Sequence, residues 1–502
     1  MSLTELTTRA QNAMDAPVVN VEVHISNGLP AFSIVGLPEA AVRESRDRVR
    51  SAIINSGFEF PVKKIIVNLA PADLPKQGGR YDLAIALGIL ASSKQLNTAQ
   101  LSRFEYYGEL ALSGELRPVS GLVPALIACR QAQHCALLST ENANEAGFIS
   151  ALDARSGTTL AQVCQFFNGG ETLPGVPPSS SSPDTEYTTD LSEVLGQTQA
   201  RRALELAAAG HHHLLMMGPP GTGKSMLAQR LNSILPDMDE AQALQTLSIQ
   251  SISNSFTVDL NHWKRRPFRS PHHTVSGVAL VGGGAQVLPG EISLAHNGVL
   301  FLDELTEFDR KSLEVLREPL ETGQIHISRA ARQATFPAAF QLVAAMNPCP
   351  GGCNSISSCE CSPQQMAHYR NKLSAPLLDR IDIQIELPRL DQQQLLQQRI
   401  EQQETSAQVR ARVTQARAIQ LQRQGCLNGQ MNNQQVEQFC QPDRAAQQLL
   451  ARAIDKLGLS ARSYHRLLKL ARSIADLKVE ESISQDGISE AIGYRRSALM
   501  QR

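Results

Sequence analysis

The sequence predicts an α/β chain in three successive parts. Three observations carry that expectation: an apolar strand at 213–217 that runs into a glycine-rich loop and a helix, further short apolar strands at 298–302 and 341–346 that each stop at a polar residue, and the loss of strand patterning beyond about 388. The 502 residues suit roughly two to four domains, each long enough to bury a core.

Taken in order, residues 18–35 hold two β-rich runs around the turn signal Ser26-Asn27-Gly28, and residues 65–70 form a short buried strand. Helical patterns over 39–56 and 83–92 separate these runs, so residues 1–168 read as a mixed α/β domain. Residues 169–190 are rich in Gly, Pro and Ser without apolar periodicity and read as a flexible linker. Residues 191–390 alternate helix and buried strand, and 391–502 are helical. The glutamine-rich stretch within 391–440 keeps spaced Leu, Ile and Val, which favours a polar-faced helix over a low-complexity tail.

Composition excludes more than it selects. Lys and Arg number 47 against 48 Asp and Glu, so bulk charge names no partner. A hydrophobic fraction of 42% and a charged fraction of 19%, with 33 Gly and 26 Pro, exclude collagen-like and mostly disordered classes. No apolar run approaches the roughly 20 residues that span a bilayer. The start lacks a basic segment followed by an apolar one, so a cytoplasmic location without a membrane partner is expected. Nine cysteines are an odd number for a disulfide framework, and Cys129, Cys135, Cys164, Cys426 and Cys440 read as scattered small apolar residues.

The chemistry concentrates after position 213. Gly218, Pro219, Pro220, Gly221, Thr222, Gly223, Lys224, Ser225 and Met226 form a phosphate-binding loop in its required context, with a strand before and a helix after. Gly221 and Gly223 let backbone N–H groups face phosphates, Lys224 is placed for the β- and γ-phosphates, and Ser225 for Mg²⁺. ATP and Mg²⁺ are therefore the expected ligands. The strand 298–302 ends in Asp303-Glu304, one carboxylate for the metal shell and one to polarise the attacking water. The strand 341–346 stops at Asn347, suited to the lytic water or the γ-phosphate, although a strand-terminal turn former also fits. Arg380 follows an apolar helix end, and Arg462 sits in the first turn of a helix capped by Ser460, where it opposes the helix dipole and calls for an anionic partner.

Two clusters lie outside this set. Residues 262–273 gather Lys264, Arg265, Arg266 and Arg269 with three histidines and two aromatics, a pattern suited to salt-sensitive phosphate contacts and base stacking, or equally to a solvated loop over one packed ring. Arg329 and Arg332 lie between two β-like runs, where a hairpin tip is expected. Cys349, Cys353, Cys359 and Cys361 offer four soft ligands with intervening Gly and Pro for a tetrahedral Zn²⁺ site; the close Cys-x-Cys pair leaves His368 as an alternative ligand, and free thiols as the other reading.

Together the phosphate loop, VLFLDEL, AAMNPCP, SAPLLDRIDI and LSARSYHR, in this order, resemble an AAA+ ATPase of the magnesium-chelatase-related group. The stretch 268–284, FRSPHHTVSGVALVGGG, is similar to that group's own insertion. The N-terminal GLPAFSIVGLPEAAVRESRDRVRSAI and VNLAPADLPKQGGRYDLAIALGIL narrow the resemblance to the bacterial ComM/YifB type over essentially the whole chain. That resemblance implies a Lon-protease-like domain over 1–168, an AAA+ core over 191–390 and a helical lid over 391–502. It implies Lys224 and Ser225 as Walker A, Asp303 and Glu304 as Walker B, and Asn347 as sensor 1. Arg380 matches the finger given to a neighbouring subunit and Arg462 matches sensor 2, which implies a homo-oligomeric, hexameric ring. It also implies DNA as partner, with Arg329 in a pore-lining hairpin, and branch migration in natural transformation as the activity. In the Lon-like domain Arg80 stands where the serine nucleophile belongs and Val123 where the lysine belongs, which disfavours a protease; a chelatase motor subunit is the other alternative, disfavoured by the N-terminal domain.

Overall fold

The structure is a computed structural model, and it describes residues 2–179, 187–253, 262–284, 287–329, 332–353, 359–389, 403–457 and 460–495. The chain forms two compact units, Met1–Pro183 with Glu240–Trp263 and Ser328–Phe336, and Asp184–Asp239 with Lys264–Ile327 and Pro337–Arg502.

The first unit is built on a seven-stranded sheet in the order Ala31–Val35, Lys64–Ala70, Val18–Ser26, Ser2–Arg9, Phe104–Tyr106, Cys135–Ser139, Ala154–Gly157. Alternation in VVNVEVHIS buries Val19, Val21, Val23 and Ile25 on one face, against the wholly buried helix Asp82–Ser92. The two runs around Ser26-Asn27-Gly28 do not pair with each other. Lys64–Ala70 inserts between them, antiparallel to one and parallel to the other, and Pro30, with no N–H to donate, helps carry the chain past rather than back. The strand Ser2–Arg9 carries no clear sequence signal, because Leu3 is exposed and Leu6 alone of its two leucines enters the core.

Two expectations change here. The stretch 169–190 is not free linker throughout: Val176 N–H donates to Ala154 O at 3.0 Å, Ser179 N–H donates to Gly147 O at 2.7 Å, and Leu173 is buried. The outer strand Ala154–Gly157 offers unpaired backbone groups, and this segment satisfies them. Residues 180–186 lie outside the described part. Likewise Glu240–Trp263, read as part of the nucleotide core, belongs to the first unit, where Gly121 N–H donates to Ser251 O at 2.9 Å.

The second unit holds a five-stranded parallel sheet in the order Phe268–Arg269, Val299–Leu302, Gln341–Met346, Leu214–Met217, Ile383–Glu386. Leu214–Met217, Val299–Leu302 and, after its first residue, Gln341–Met346 read as unbroken apolar runs because both faces are covered. Helices Thr198–Gly210 and Lys224–Ile234 share this core with the C-terminal helices. Those helices are Ser406–Gln424, Asn433–Phe439, Arg444–Leu457, Ala461–Leu477 and Gln485–Gly493. Ser406–Gln424 begins at a Thr405–Gln408 capping box and buries Val409, Val413 and Ala416, so the glutamine-rich region is helical from 406; residues 390–402 lie outside the described part. No helix among the described residues is long and apolar enough to cross a membrane.

Candidate functional site

Parallel strands bring their C-terminal ends to one edge, and loops leaving that edge build the site. Leu214–Met217 lies at the sheet's interior between Gln341–Met346 and Ile383–Glu386, and the glycine loop leaves its end. Gly221 and Gly223 have φ of +80° and +85°, left-handed values that a side chain would strain, and Gly223 caps the helix Lys224–Ile234. The loop is therefore curled over a helix N-terminus, where backbone N–H groups and the helix dipole favour an anion.

Lys224 is 9% exposed, and its ammonium donates to Gly218 O at 2.7 Å, Pro219 O at 2.9 Å and Asn347 Oδ1 at 3.2 Å. Burial pushes its pKa down against the opposing pull of Asp303 and Glu304, so a desolvated cation stands ready for phosphate oxygens. Ser225 Oγ donates to Asp303 Oδ2 at 2.6 Å. This hydroxyl and carboxylate are the hard-oxygen pair that would hold Mg²⁺, whose chemistry is to neutralise phosphate charge; Asp303 keeps its other oxygen on the Glu304 N–H at 2.9 Å. Glu304 has φ of +52°, a left-handed conformation uncommon outside glycine and Asn/Asp, which turns its half-exposed carboxylate away from Asp303 and to within 3.2 Å of His273 Nδ1. Asn347 is held at its backbone carbonyl by the Tyr369 hydroxyl at 2.9 Å. Strand ends distant in sequence thus meet the loop in two hydrogen-bonded pairs on its adjacent residues, Lys224 with Asn347 and Ser225 with Asp303.

Sequence reading missed His273, counted there only as part of a basic patch, and Tyr369. A signal for His273 existed: it follows the strand Phe268–Arg269, which pairs in parallel with the acid-bearing Val299–Leu302. Arg380 and Arg462 do not join this set. Both meet Glu321 on the short helix Pro319–Thr322.

The basic cluster is only partly available to a nucleic acid. Arg266 donates to Pro236 O at 2.8 Å and Asn297 O at 2.7 Å, and Arg269 forms a two-pronged pair with Glu291, both bonds 2.7 Å. Arg266 is held in the fold, since a desolvated guanidinium is kept by the acceptors it satisfies, and Arg269, though partly exposed, is engaged by Glu291. Arg265 lies over the Tyr187 ring at 4.3 Å, and Trp263 is buried against Phe148 at 5.1 Å rather than presented for stacking. Gln324–Arg329 and Arg332–Pro337 form the expected two-stranded ribbon, while the side chains of Arg329 and Arg332 lie outside the described part.

The sulfurs of Cys349, Cys353, Cys359 and Cys361 lie within 4.8 Å of one another, and His368 is not among them. Zn–S bonds of about 2.3 Å set tetrahedral sulfurs about 3.8 Å apart, so four thiols gathered this closely fit that metal. Two of the sulfurs also accept backbone N–H groups, Cys349 from Cys353 at 3.1 Å and Cys359 from Cys361 at 3.4 Å, the outer-shell support thiolates need.

In the first unit, Arg80 is 4% exposed and donates to Ser120 O at 2.6 Å and Gln11 Oε1 at 2.9 Å; Val123 is buried. The positions of a serine–lysine dyad are filled by a cation locked into the fold and an apolar side chain, and neither attacks a carbonyl.

A parallel sheet in this order, with a phosphate loop on an interior strand, an acid pair two strands away and a polar sensor on the strand between them, defines a P-loop protein of the AAA+ class. Family models agree: "Magnesium chelatase, subunit ChlI" matches residues 190–395, "Subunit ChlI of Mg-chelatase" residues 21–142, and "Magnesium chelatase, subunit ChlI C-terminal" residues 403–495. The chain is 50% identical over 499 residues to the competence protein ComM of Haemophilus influenzae, covering 99% of this chain and 98% of that one. It is 49% identical over 495 residues to YifB of Salmonella typhimurium, covering 99% and 97%. The magnesium-chelatase 38 kDa subunit of Rhodobacter capsulatus is 26% identical over 187 residues, 34% of this chain and 53% of that subunit. A putative Lon protease homolog of Thermoplasma volcanium is 48% identical over a stretch of 54 residues. The chain belongs to the ComM/YifB family of magnesium-chelatase-like AAA+ proteins.

Proposed function

We propose that this chain is an ATP-hydrolysing, ring-forming DNA motor of the cytoplasm that moves branched junctions during recombination in natural transformation. The observation that carries the ATPase reading is the two hydrogen-bonded pairs at the phosphate loop, Lys224 with Asn347 and Ser225 with Asp303, with Glu304 beside them. The likeness to a competence protein over nearly the full length carries the DNA reading. In this account Lys224 and the loop N–H groups bind the triphosphate, Ser225 and Asp303 hold Mg²⁺, and Glu304 takes a proton from water aligned with Asn347. Arg380 and Arg462 complete the site of the next subunit in a six-membered ring.

The test is ATP turnover with and without a four-way junction. Strong stimulation is expected; turnover indifferent to DNA would favour the chelatase-motor alternative, for which the names of the matching family models speak. Lys264, Arg265 and Arg329 remain the proposed phosphate contacts. Phosphate contacts carry no base information, so Arg265→Ala and Arg329→Ala should weaken junction binding regardless of sequence and flatten its log–log salt slope by about 0.9 per contact on duplex. Affinity and slope equal to wild type in both variants would remove these residues from the interface.

Zn²⁺ at Cys349, Cys353, Cys359 and Cys361 is proposed as a structural ion of the segment following Asn347. Purified protein should hold about one zinc per chain. Elemental analysis returning only a trace, with four titratable thiols in its place, would assign the cluster to free cysteine.

A further inference from the structure

Arg380 and Arg462 are 82 residues apart, yet both guanidinium groups end on the same oxygen, Oε1 of Glu321; Arg380 reaches it at 2.5 Å. Arg380 also donates to Pro376 O at 2.6 Å, and its side chain is 6% exposed. Arg462 Nε lies 3.3 Å from Asp379 Oδ2. Among the described residues these two guanidinium groups bond to Glu321, Pro376 and Asp379, with none of these contacts in the phosphate loop or the Asp303-Glu304 pair. Arg466 and Arg495 stand nearby, paired with Asp382 at 2.7 Å and Asp379 at 3.5 Å. Four arginines therefore face three carboxylates, and the patch keeps an excess of cation that attracts an anion.

We propose that Glu321 is the resting-state counter-ion of both arginines, holding them turned into their own subunit until the triphosphate of a neighbouring subunit takes its place. This rests on the reading of Arg380 and Arg462 as groups given across a ring interface. A guanidinium as enclosed as that of Arg380 cannot reach a neighbour's phosphate while it stays on Glu321. The carboxylate itself is the accessible member, 44% exposed, so exchanging it leaves no buried charge behind. A triphosphate offers more charge and more acceptor oxygens than one carboxylate, and two arginines already side by side meet it as a unit. Burial alone would raise the Glu321 carboxyl pKa, and the hydrogen bond from Arg462 with the charges of both arginines holds it below the usual range instead, as expected of a carboxylate kept ionised by this pair.

The position of Glu321 supplies a control line. It lies on Pro319–Thr322, and Gly323, at φ of +66°, is all that separates this helix from the ribbon beginning at Gln324. A load on the ribbon is transmitted through three peptide bonds to Glu321, so DNA engagement and release of the arginines share one short lever.

The experiment measures kcat and KM for ATP, with and without a four-way junction, in wild type, Glu321→Gln, Glu321→Asp, Arg380→Ala and the Glu321→Gln/Arg380→Ala double variant of the full chain. Glu321→Gln keeps the shape and removes the charge. Its DNA-free kcat is expected to rise roughly two- to tenfold, the span that freeing two partly exposed ion pairs opens. KM should stay near wild type because the phosphate loop is untouched, and stimulation by DNA should shrink by the factor that the basal rate gains. Glu321→Asp keeps the charge and should stay close to the low wild-type rate, while the double variant should fall to the level of Arg380→Ala. A gain in rate cannot arise from damaged folding, so it separates a latch from a merely structural contact. A DNA-free kcat for Glu321→Gln at or below wild type, with Arg380→Ala inactive and both proteins melting like wild type, overturns the latch. Wild-type turnover by Arg380→Ala alone overturns the cross-interface reading beneath it, an outcome visible without any Glu321 variant.

Discussion

Lys224→Ala is expected to abolish ATP binding, while Glu304→Gln binds ATP normally and loses kcat by roughly 10²- to 10⁴-fold, the range a positioned general base supplies. The difference follows from where the two side chains stand. Lys224 is enclosed by the loop, its ammonium already turned to Gly218 O, Pro219 O and Asn347 Oδ1, so phosphate oxygens entering the loop meet a cation with little water to shed. Removing it also leaves Gly218 O without its side-chain donor, while Pro219 O keeps the Thr222 hydroxyl, and ATP affinity should fall by about 10²-fold or more. Among the described residues no hydrogen bond or ion pair joins Glu304 to the loop; its half-exposed carboxylate pairs with His273, so binding should depend on it far less than on Lys224. Equilibrium binding of a fluorescent ATP analogue beside steady-state turnover checks both. Near-normal hydrolysis by Glu304→Gln would take Glu304 out of the base role, and tight ATP binding by Lys224→Ala would do the same for the phosphate loop.

The second large effect concerns Arg380. Arg380→Ala alone is expected to lose roughly 10³-fold or more in turnover, as removal of an arginine finger does in related phosphoryl transfers. Mixed with Lys224→Ala it should regain activity, because each inactive subunit brings the part the other lacks. In a ring whose interfaces run head to tail, a 1:1 random mixture places an intact loop against an intact arginine at about a quarter of interfaces. Recovery near that level is the expected result. Mixed rings verified by affinity tags on both subunits, yet as inactive as either parent, would sink the cross-subunit role. The structure motivates this test because the partners of Arg380 are Glu321 and Pro376, not the phosphate loop of its own chain.

Much of the nucleotide site was legible in the residues because its chemistry is local. A glycine loop between strand and helix needs left-handed backbone at fixed positions, and Gly221 and Gly223 adopt it. An acid pair at a strand end and a polar residue at the next strand end are likewise properties of short segments. The cysteine cluster was visible from spacing, although the choice of Cys361 over His368 needed the loop's path. Less was legible wherever a side chain's role depends on what arrives from elsewhere. Arg266 and Arg269 looked like the rest of a basic run until carbonyls at 236 and 297 and the carboxylate of Glu291 were placed beside them. Residue type left Trp263 equally a stacking platform or a packed ring, and its place on Phe148 decides for the packed ring.

The sequence by itself determined that this chain binds its strands into an α/β core around a phosphate loop and ends in helices, because these follow from residue type and short-range period. Only the tertiary structure decided that Lys64–Ala70 separates the two strands before it, that residues 173–179 close an open strand edge, and that Glu321 gathers Arg380 and Arg462. The physical reason is common to all three. Backbone edges and buried charges must be satisfied by whichever partner the fold brings within hydrogen-bonding distance, and that partner's distance along the chain leaves no mark in local pattern.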